Sequence, residues 1–411
     1  MQPWQAVIDV QEAQSVGIDA FALNVASTDT WSTNAIQYLF DAAAQYNNFK
    51  LFFSFDMIHF THPSQFLGLI EQWHNHKSYY SHNGHPFVST FYGARLSFGE
   101  SSPSNGWQKH YREPLQAKGI WTYFVPAFSD AMGSPTGFTY AFPVIDGVMN
   151  WDGAWPYESD GQVDVSSASD QAYLTDTHTY SKTFMMAISP VQFKHMDHNQ
   201  NWYRRGELNY ATRIRQVLSL APDFLEIVTW NDAGESHYFG KIWPDSIAGT
   251  NIQTYTDGYD HSGWQKLLPP FIKAYKAGIK DVSSLIPSDG KAVSGVFWYR
   301  PLLKSASCIN DFMGKPRGWM NAEDNFNLVV LADSRASEYT INIYSGYDML
   351  AWYRPVQGLN SWSIPGLRIG SQSIEIVDIN GRVIASGKGT MTVIGDMSHG
   401  VCNYNYQVVG F

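Results

Sequence analysis

Short, almost uninterrupted apolar runs recur along the first 280 residues. They are 20–25 (AFALNV), 51–56 (LFFSFD), 86–91 (PFVSTF), 120–125 (IWTYFV), 147–151 (GVMNW), 183–189 (TFMMAIS) and 224–230 (FLEIVTW). Runs of this length rich in Phe, Val and Ile predict strands buried on both faces. Between them lie segments with apolar residues three and four positions apart, such as 34–44 and 205–220, which predict amphipathic helices. Gly17 and Gly119 stand where a helix should stop before a strand. Such alternation predicts a parallel sheet with helices outside it.

The count is seven strands, one short of an eight-stranded barrel, and the chain opens on a helix-like stretch, 3–15. The expectation is a (β/α)8 barrel whose first strand lies upstream of Met1 or is replaced by another segment. A doubly wound open sheet is the alternative, but no nucleotide-binding glycine loop accompanies it. The segment 264–277 should close the barrel as a helix, kinked or broken at Pro269-Pro270. From about Ser283 the pattern becomes short strands with Gly, Asn and Asp turns: 327–332, 339–343, 373–377 and 382–385, with Ile379-Asn380-Gly381 as a hairpin-type turn. This predicts a β-sandwich. The expected domains are therefore 1–282, a barrel, and 283–411, a sandwich.

Composition narrows the function. The net charge of −10 disfavours a nucleic-acid partner. No apolar run approaches the roughly 20 residues a membrane helix needs, and MQPWQAVIDVQEA has neither the basic nor the apolar part of a signal peptide. Neither GxGxxG nor GxxxxGK[ST] occurs, so no phosphate-binding cofactor is expected. Aromatic residues make up 15% of the chain, enough to fill a core and also to stack on sugar rings. Cys308 and Cys402 are either free thiols or one disulfide, the latter implying an oxidising compartment.

A parallel barrel places its active site at the C-terminal strand ends. Asn24, Asp56 with His59, Asp130, Trp151 and Asp152 with Trp155, His195 with His198, and Asp232 with Glu235 all follow strand ends. His74, His76, His82 and His85 precede a strand, on the other face, and are not expected to bind a metal. His195 and His198 with one Asp form a weak metal signal, so His195 is expected to hydrogen-bond substrate instead. Asp232 and Glu235, in TWNDAGES, are the strongest pair. Glycoside hydrolysis needs two carboxyl groups, about 6.5–9.5 Å apart for inversion or about 5–5.5 Å for retention. Gly234 is expected to adopt positive φ and splay the acids, which leaves both outcomes open. Asp232 or Ser236 capping a helix is the structural alternative. Trp230, Asn231, His237 and Tyr238 flank the pair and suit sugar binding.

Several segments resemble glycoside hydrolase family 71, the mostly fungal α-1,3-glucanases or mutanases: 17–24 (GIDAFALN), 49–57 (FKLFFSFDM), 86–91, Asn201-Trp202 with Arg205-Gly206, 222–238 (PDFLEIVTWNDAGESHY) and 263–269 (GWQKLLP). The resemblance implies a barrel with a C-terminal β-sandwich and cofactor-free, inverting hydrolysis of α-1,3-glucan. It also implies a monomer acting outside the cell or in the cell wall. It implies that Asp232 and Glu235 are the catalytic pair, with Asp232 expected as base and Glu235 as acid. Asn24 and Asp56 are then expected to hold sugar hydroxyls, with Trp151, Asp152, Trp155 and His195 as further substrate contacts. The competing readings are a non-catalytic glucan-binding protein and a retaining glycosidase in which Asp56 or Asp152 partners one of the two acids.

Overall fold

The structure is a computed structural model that describes residues 1–130, 135–396 and 400–411. The chain divides into two compact units. The first comprises Met1–Ala154, Ser166–Ala187 and Pro222–Glu226, and the second Trp155–Val165, Ile188–Ala221 and Ile227–Phe411.

In the first unit the apolar runs form parallel strands: β1 (Ala20–Val25), β2 (Lys50–Asp56), β3 (His85–Phe91), β4 (Tyr123–Phe124), β5 (Gly147–Asn150) and β6 (Thr183–Ile188). A hairpin of the second unit, β7 (Gln192–His195) and β8 (Asn201–Arg204), interrupts the series before β9 (Phe224–Ile227). The order is β1-β2-β3-β4 in one sheet and β5-β6-β9 in another. The Asp146 amide donates to the Phe124 carbonyl at 2.8 Å and that of Met149 to Pro126 at 3.0 Å, linking the two. β6 and β9 pass into the second unit at their last residue.

Burial explains why the runs read so plainly. Phe53, Val88, Phe124 and Phe184 are fully buried, as strands covered on both faces require. The outermost strands differ: Ala20, Phe21 and Ala22 in β1 and all four residues of β9 are only half-buried. The helices α1 (Pro3–Ser15) and α2 (Thr30–Ala43) bury Ala6, Val10 and Ala13, and Ile36 and Phe40. The run 120–125 keeps only Tyr123–Phe124 as strand, and 224–230 stops at Ile227.

The second unit holds the helix α3 (Asn209–Leu220). The expected helix 264–277 is split. A 3-10 segment runs from Ser262 to Leu267, and α4 (Leu268–Lys276) starts afresh with the prolines in its first turn. There their missing N–H groups cost nothing. Eight antiparallel strands follow: β10 (Val293–Tyr299), β11 (Asn325–Ala332), β12 (Tyr339–Ser345), β13 (Asp348–Tyr353), β14 (Gly358–Pro365), β15 (Gln372–Asp378), β16 (Val383–Lys388) and β17 (Gln407–Gly410). They form two four-stranded sheets, β14-β11-β10-β17 and β13-β12-β15-β16. Phe297, Leu328 and Val330 of one sheet and Ile341, Ile343, Ile374 and Ile376 of the other share one buried cluster. The turn between β15 and β16 carries Gly381 at φ +77°, the left-handed position expected of it. Cys308 and Cys402 are joined in a disulfide across 94 positions.

Candidate active site

The segment after β9 folds back on itself. The Thr229 amide donates to the His237 carbonyl at 2.8 Å, and the Phe239 amide to the Thr229 carbonyl at 3.0 Å. The tip is a turn held by a short helix, Asn251–Thr256, whose Tyr255 hydroxyl donates to the Gly234 carbonyl at 2.8 Å. Asp232 and Glu235 sit on this tip.

The two acids have different surroundings. One Asp232 oxygen, Oδ1, accepts the Glu235 amide at 2.9 Å, and the side chain is 41% exposed. The Glu235 side chain is 20% exposed and meets three donors. Its Oε2 accepts from His237 Nε2 at 3.1 Å and from the Gln192 amide nitrogen, and Lys194 Nζ lies 3.4 Å from Oε1. Gln192 and Lys194 stand two apart on β7, so they share a strand face. The Phe193 amide between them donates to the Glu235 carbonyl at 2.9 Å and fixes the register.

Electrostatics follow from this asymmetry. Although its side chain keeps a solvent-facing edge, the protein packed around the turn desolvates the Asp232 carboxyl and raises it above its usual range, and neighbouring Glu235 adds to the rise. Burial pushes Glu235 up too. The hydrogen bond from His237, with nearby Lys194 and Gln192, outweighs it and holds that carboxyl down at about 2. The pair thus joins a carboxyl disposed to keep its proton to one disposed to lose it, a division useful for acid–base chemistry.

The turn does not splay the acids by positive φ. The left-handed residue is Ser236, at φ +59°, and not Gly234. Gly234 instead provides space, since a Cβ there would lie 3.1 Å from Asp232 Oδ1. Oxygens of Asp232 and Glu235 and a nitrogen of His237 all lie within 4.8 Å of one another. Among the described residues this is the only such cluster with the donor types of a metal site. Its Glu235 Oε2 and His237 Nε2 atoms already bond each other, and Asp232 Oδ1 accepts a backbone amide.

Other expected site residues are placed differently. His195 is fully buried, with Nδ1 2.8 Å from Asn201 Oδ1 and Nε2 2.8 Å from Asp311 Oδ2. Both ring nitrogens have partners within the protein, which brace the hairpin. Tyr238 is buried, stacks on His261 and donates its hydroxyl to the Tyr259 carbonyl at 2.6 Å. It too belongs to the framework. His237 is buried against Trp155, ring centroids 5.4 Å apart, and reaches Glu235 rather than solvent. Trp230 is half-buried and Asn231 exposed beside the acids.

In the first unit Asn24 is exposed near the end of β1. Asp56 ends β2 and accepts the Ile58 amide at 2.9 Å, and burial raises its carboxyl. Trp151 packs edge-on against Phe91, and it and Asp152 are half-buried. The histidines before β3 do not converge. His74 Nδ1 lies 3.0 Å from the Glu71 carbonyl, His76 accepts the Ser78 amide, His82 packs on Tyr123 and Phe224, and His85 Nδ1 lies 2.9 Å from the Trp121 carbonyl.

Sequence reasoning missed Thr229, Gln192 and Lys194. The alternation of Gln192 and Lys194 around Phe193 was the available signal.

Comparison with known proteins gives a consistent picture. The family described as glycosyl hydrolase family 71 matches residues 2–411. A glucan endo-1,3-alpha-glucosidase, agn1, of Schizosaccharomyces pombe is 34% identical over 384 residues, covering 93% of this chain and 85% of that protein. An ascus wall endo-1,3-alpha-glucanase of the same yeast is 28% identical, covering 97% of this chain and 91% of its own length. A mutanase of Penicillium rubens is 29% identical, covering 99% and 84%. Among solved structures, a GH99 endo-alpha-mannosidase from Bacteroides thetaiotaomicron aligns at a TM-score of 0.51 and 10% identity, over 67% of this chain and 81% of that one.

Proposed function

Because the chain belongs to glycosyl hydrolase family 71, we propose that it hydrolyses the α-1,3-glucosidic bonds of a glucan, with Asp232 and Glu235 as its two catalytic carboxyl groups. The observation that carries the reading is their unequal surroundings on one turn. The roles this favours are opposite to those expected from sequence. Asp232, with its raised carboxyl, gives a proton to the departing glycosidic oxygen. Glu235, held ionised, takes a proton from the water whose oxygen attacks the anomeric carbon. The glycosidic C–O bond breaks as the new C–O bond forms, and an α-linkage yields a β-hemiacetal.

Retention is the second reading, because the nearest carboxyl oxygens lie within 4.8 Å, closer than the separation of about 6.5–9.5 Å usual for inversion. Asn231 and Trp230 are proposed as sugar contacts beside the acids. Asn24, Asp56, Trp151 and Asp152 are proposed as sugar contacts from their strand-end positions, and Trp155 as a support through His237.

The fold we propose is a (β/α)8 barrel over 1–282 with a β-sandwich over 283–411. Support for the barrel comes from its two runs of neighbouring strands, joined through the Asp146 and Met149 amides. Support for the sandwich comes from the core shared by the two antiparallel sheets. We propose a monomer acting on glucan outside the cell or in the wall; the Cys308–Cys402 disulfide, which persists in oxidising surroundings, supports that location.

Proton NMR of sugars freshly released from α-1,3-glucan tests the reading, with Asp232→Asn as control. Early β-anomer establishes inversion and early α-anomer retention. Folded wild-type protein that releases no sugar refutes hydrolysis and leaves a glucan-binding role.

A further inference from the structure

Glu235 owes its state to a closed circuit of hydrogen bonds. The Asp232 amide donates to Thr229 Oγ1 at 3.0 Å, and Thr229 Oγ1 lies 3.1 Å from His237 Nδ1. The other ring nitrogen, Nε2, lies 3.1 Å from Glu235 Oε2, and the Glu235 amide returns to Asp232 Oδ1 at 2.9 Å. A hydroxyl has one proton to give. Given to Nδ1, it leaves the imidazole proton on Nε2, aimed at the carboxylate. His237 is wholly buried, so water does not compete for either nitrogen.

We propose that Thr229 and His237 are positioning residues: the Thr229 hydroxyl fixes the imidazole tautomer, and His237 in turn aims its Nε2 proton at Glu235 and orients that carboxyl for reaction. This rests on the hydrolytic reading, in which Glu235 activates water or attacks directly. An ionised carboxylate accepts and never donates, and every side chain bonded to Glu235 in this arrangement is a donor. The charged and titratable groups facing it are Asp232 and His237 on its own loop, Lys194 from β7 and Tyr255 from the short helix. Of these, His237 has its orientation fixed by a second side chain, Thr229, which touches Asp232 only at its backbone amide.

Carbon-13 NMR titration of glutamate-labelled protein reads Glu235 directly, its carboxyl resonance identified by its loss in Glu235→Gln. Thr229→Val keeps the shape and removes the hydroxyl. We expect the Glu235 midpoint to rise by about one pH unit, because the imidazole is then free to turn its proton away from the carboxylate. On a soluble α-1,3-linked oligosaccharide kcat should fall about ten-fold with KM unchanged, and Thr229→Ser should restore both values. Thr229→Ala is read instead if the valine variant does not fold. A midpoint that stays put in a folded variant overturns the proposal, as does a kcat that Thr229→Ser does not restore. Because the titration needs no turnover, a wild-type protein that releases no sugar would refute the hydrolytic reading while the relay is still tested.

Discussion

Replacing Gly234 with Ala separates two explanations of that glycine. Were Gly234 needed for a left-handed backbone, the change would destabilise the protein by more than about 1 kcal/mol. The left-handed residue is Ser236 instead. An Ala at 234 should therefore gain about 0.4–1 kcal/mol from a less flexible unfolded chain, less the strain of its new contact. That contact is with Asp232 Oδ1, 3.1 Å from the added Cβ, where ordinary contacts begin near 3.4 Å. The carboxyl must give by a few tenths of an ångström, and it is also tied to the Glu235 amide at 2.9 Å. A misplacement of about 1 Å can cost about 100-fold in rate, so a shift of this size should cost roughly three- to ten-fold. Thermal unfolding and initial rates of sugar release, measured on the same preparation, give both quantities. The expected result is an unfolding midpoint unchanged or slightly raised, with kcat reduced. A marked fall in the midpoint, or full activity, would refute the reasoning.

Three further outcomes follow from the same geometry. With Glu235 low and Asp232 raised, kcat/KM should rise as Glu235 ionises and fall as Asp232 loses its proton. The alkaline limb should therefore belong to Asp232 and be absent from any residual activity of Asp232→Asn. Glu235's depressed value also means that its contribution to stability is present above its unfolded value near 4.5 and is lost as pH falls toward about 2. Glu235→Gln should flatten that loss in acid-unfolding curves. Cys308→Ser with Cys402→Ser opens a loop of 94 positions, which by chain entropy should cost up to roughly 4–5 kcal/mol, read as a lower denaturant midpoint.

The parallel strands were legible because burial on both faces leaves no polar alternation to obscure them; β2 reads as LFFSFD and β6 as TFMMAI. The run 120–125 was over-read because Ile120 turns back to the Leu115 carbonyl and Trp121 is exposed, which leaves only Tyr123–Phe124 as strand. Asp232 and Glu235 were legible because they are close in sequence after a strand. Their unequal surroundings were not, because two of Glu235's donors lie 43 and 41 positions away. The partner of His195 was hidden for the same reason: Asp311, beside its Nε2, is 116 positions distant. Gly234 misled differently, since one letter stands equally for a permissive backbone and for an absent methyl.

The circuit through Thr229, Asp232, Glu235 and His237 closes within nine consecutive residues, whereas Gln192 and Lys194 arrive from across the hairpin. Short loops close with little entropy cost, and distant contacts wait until much of the chain is in place. Mutual orientation of the acids is therefore a local property that can form early, while full stabilisation of the Glu235 charge is acquired late. A fluctuation that detaches β7 would leave the carboxyl groups aligned yet return Glu235 toward an ordinary carboxylic acid, so the turn's shape would outlast its chemistry.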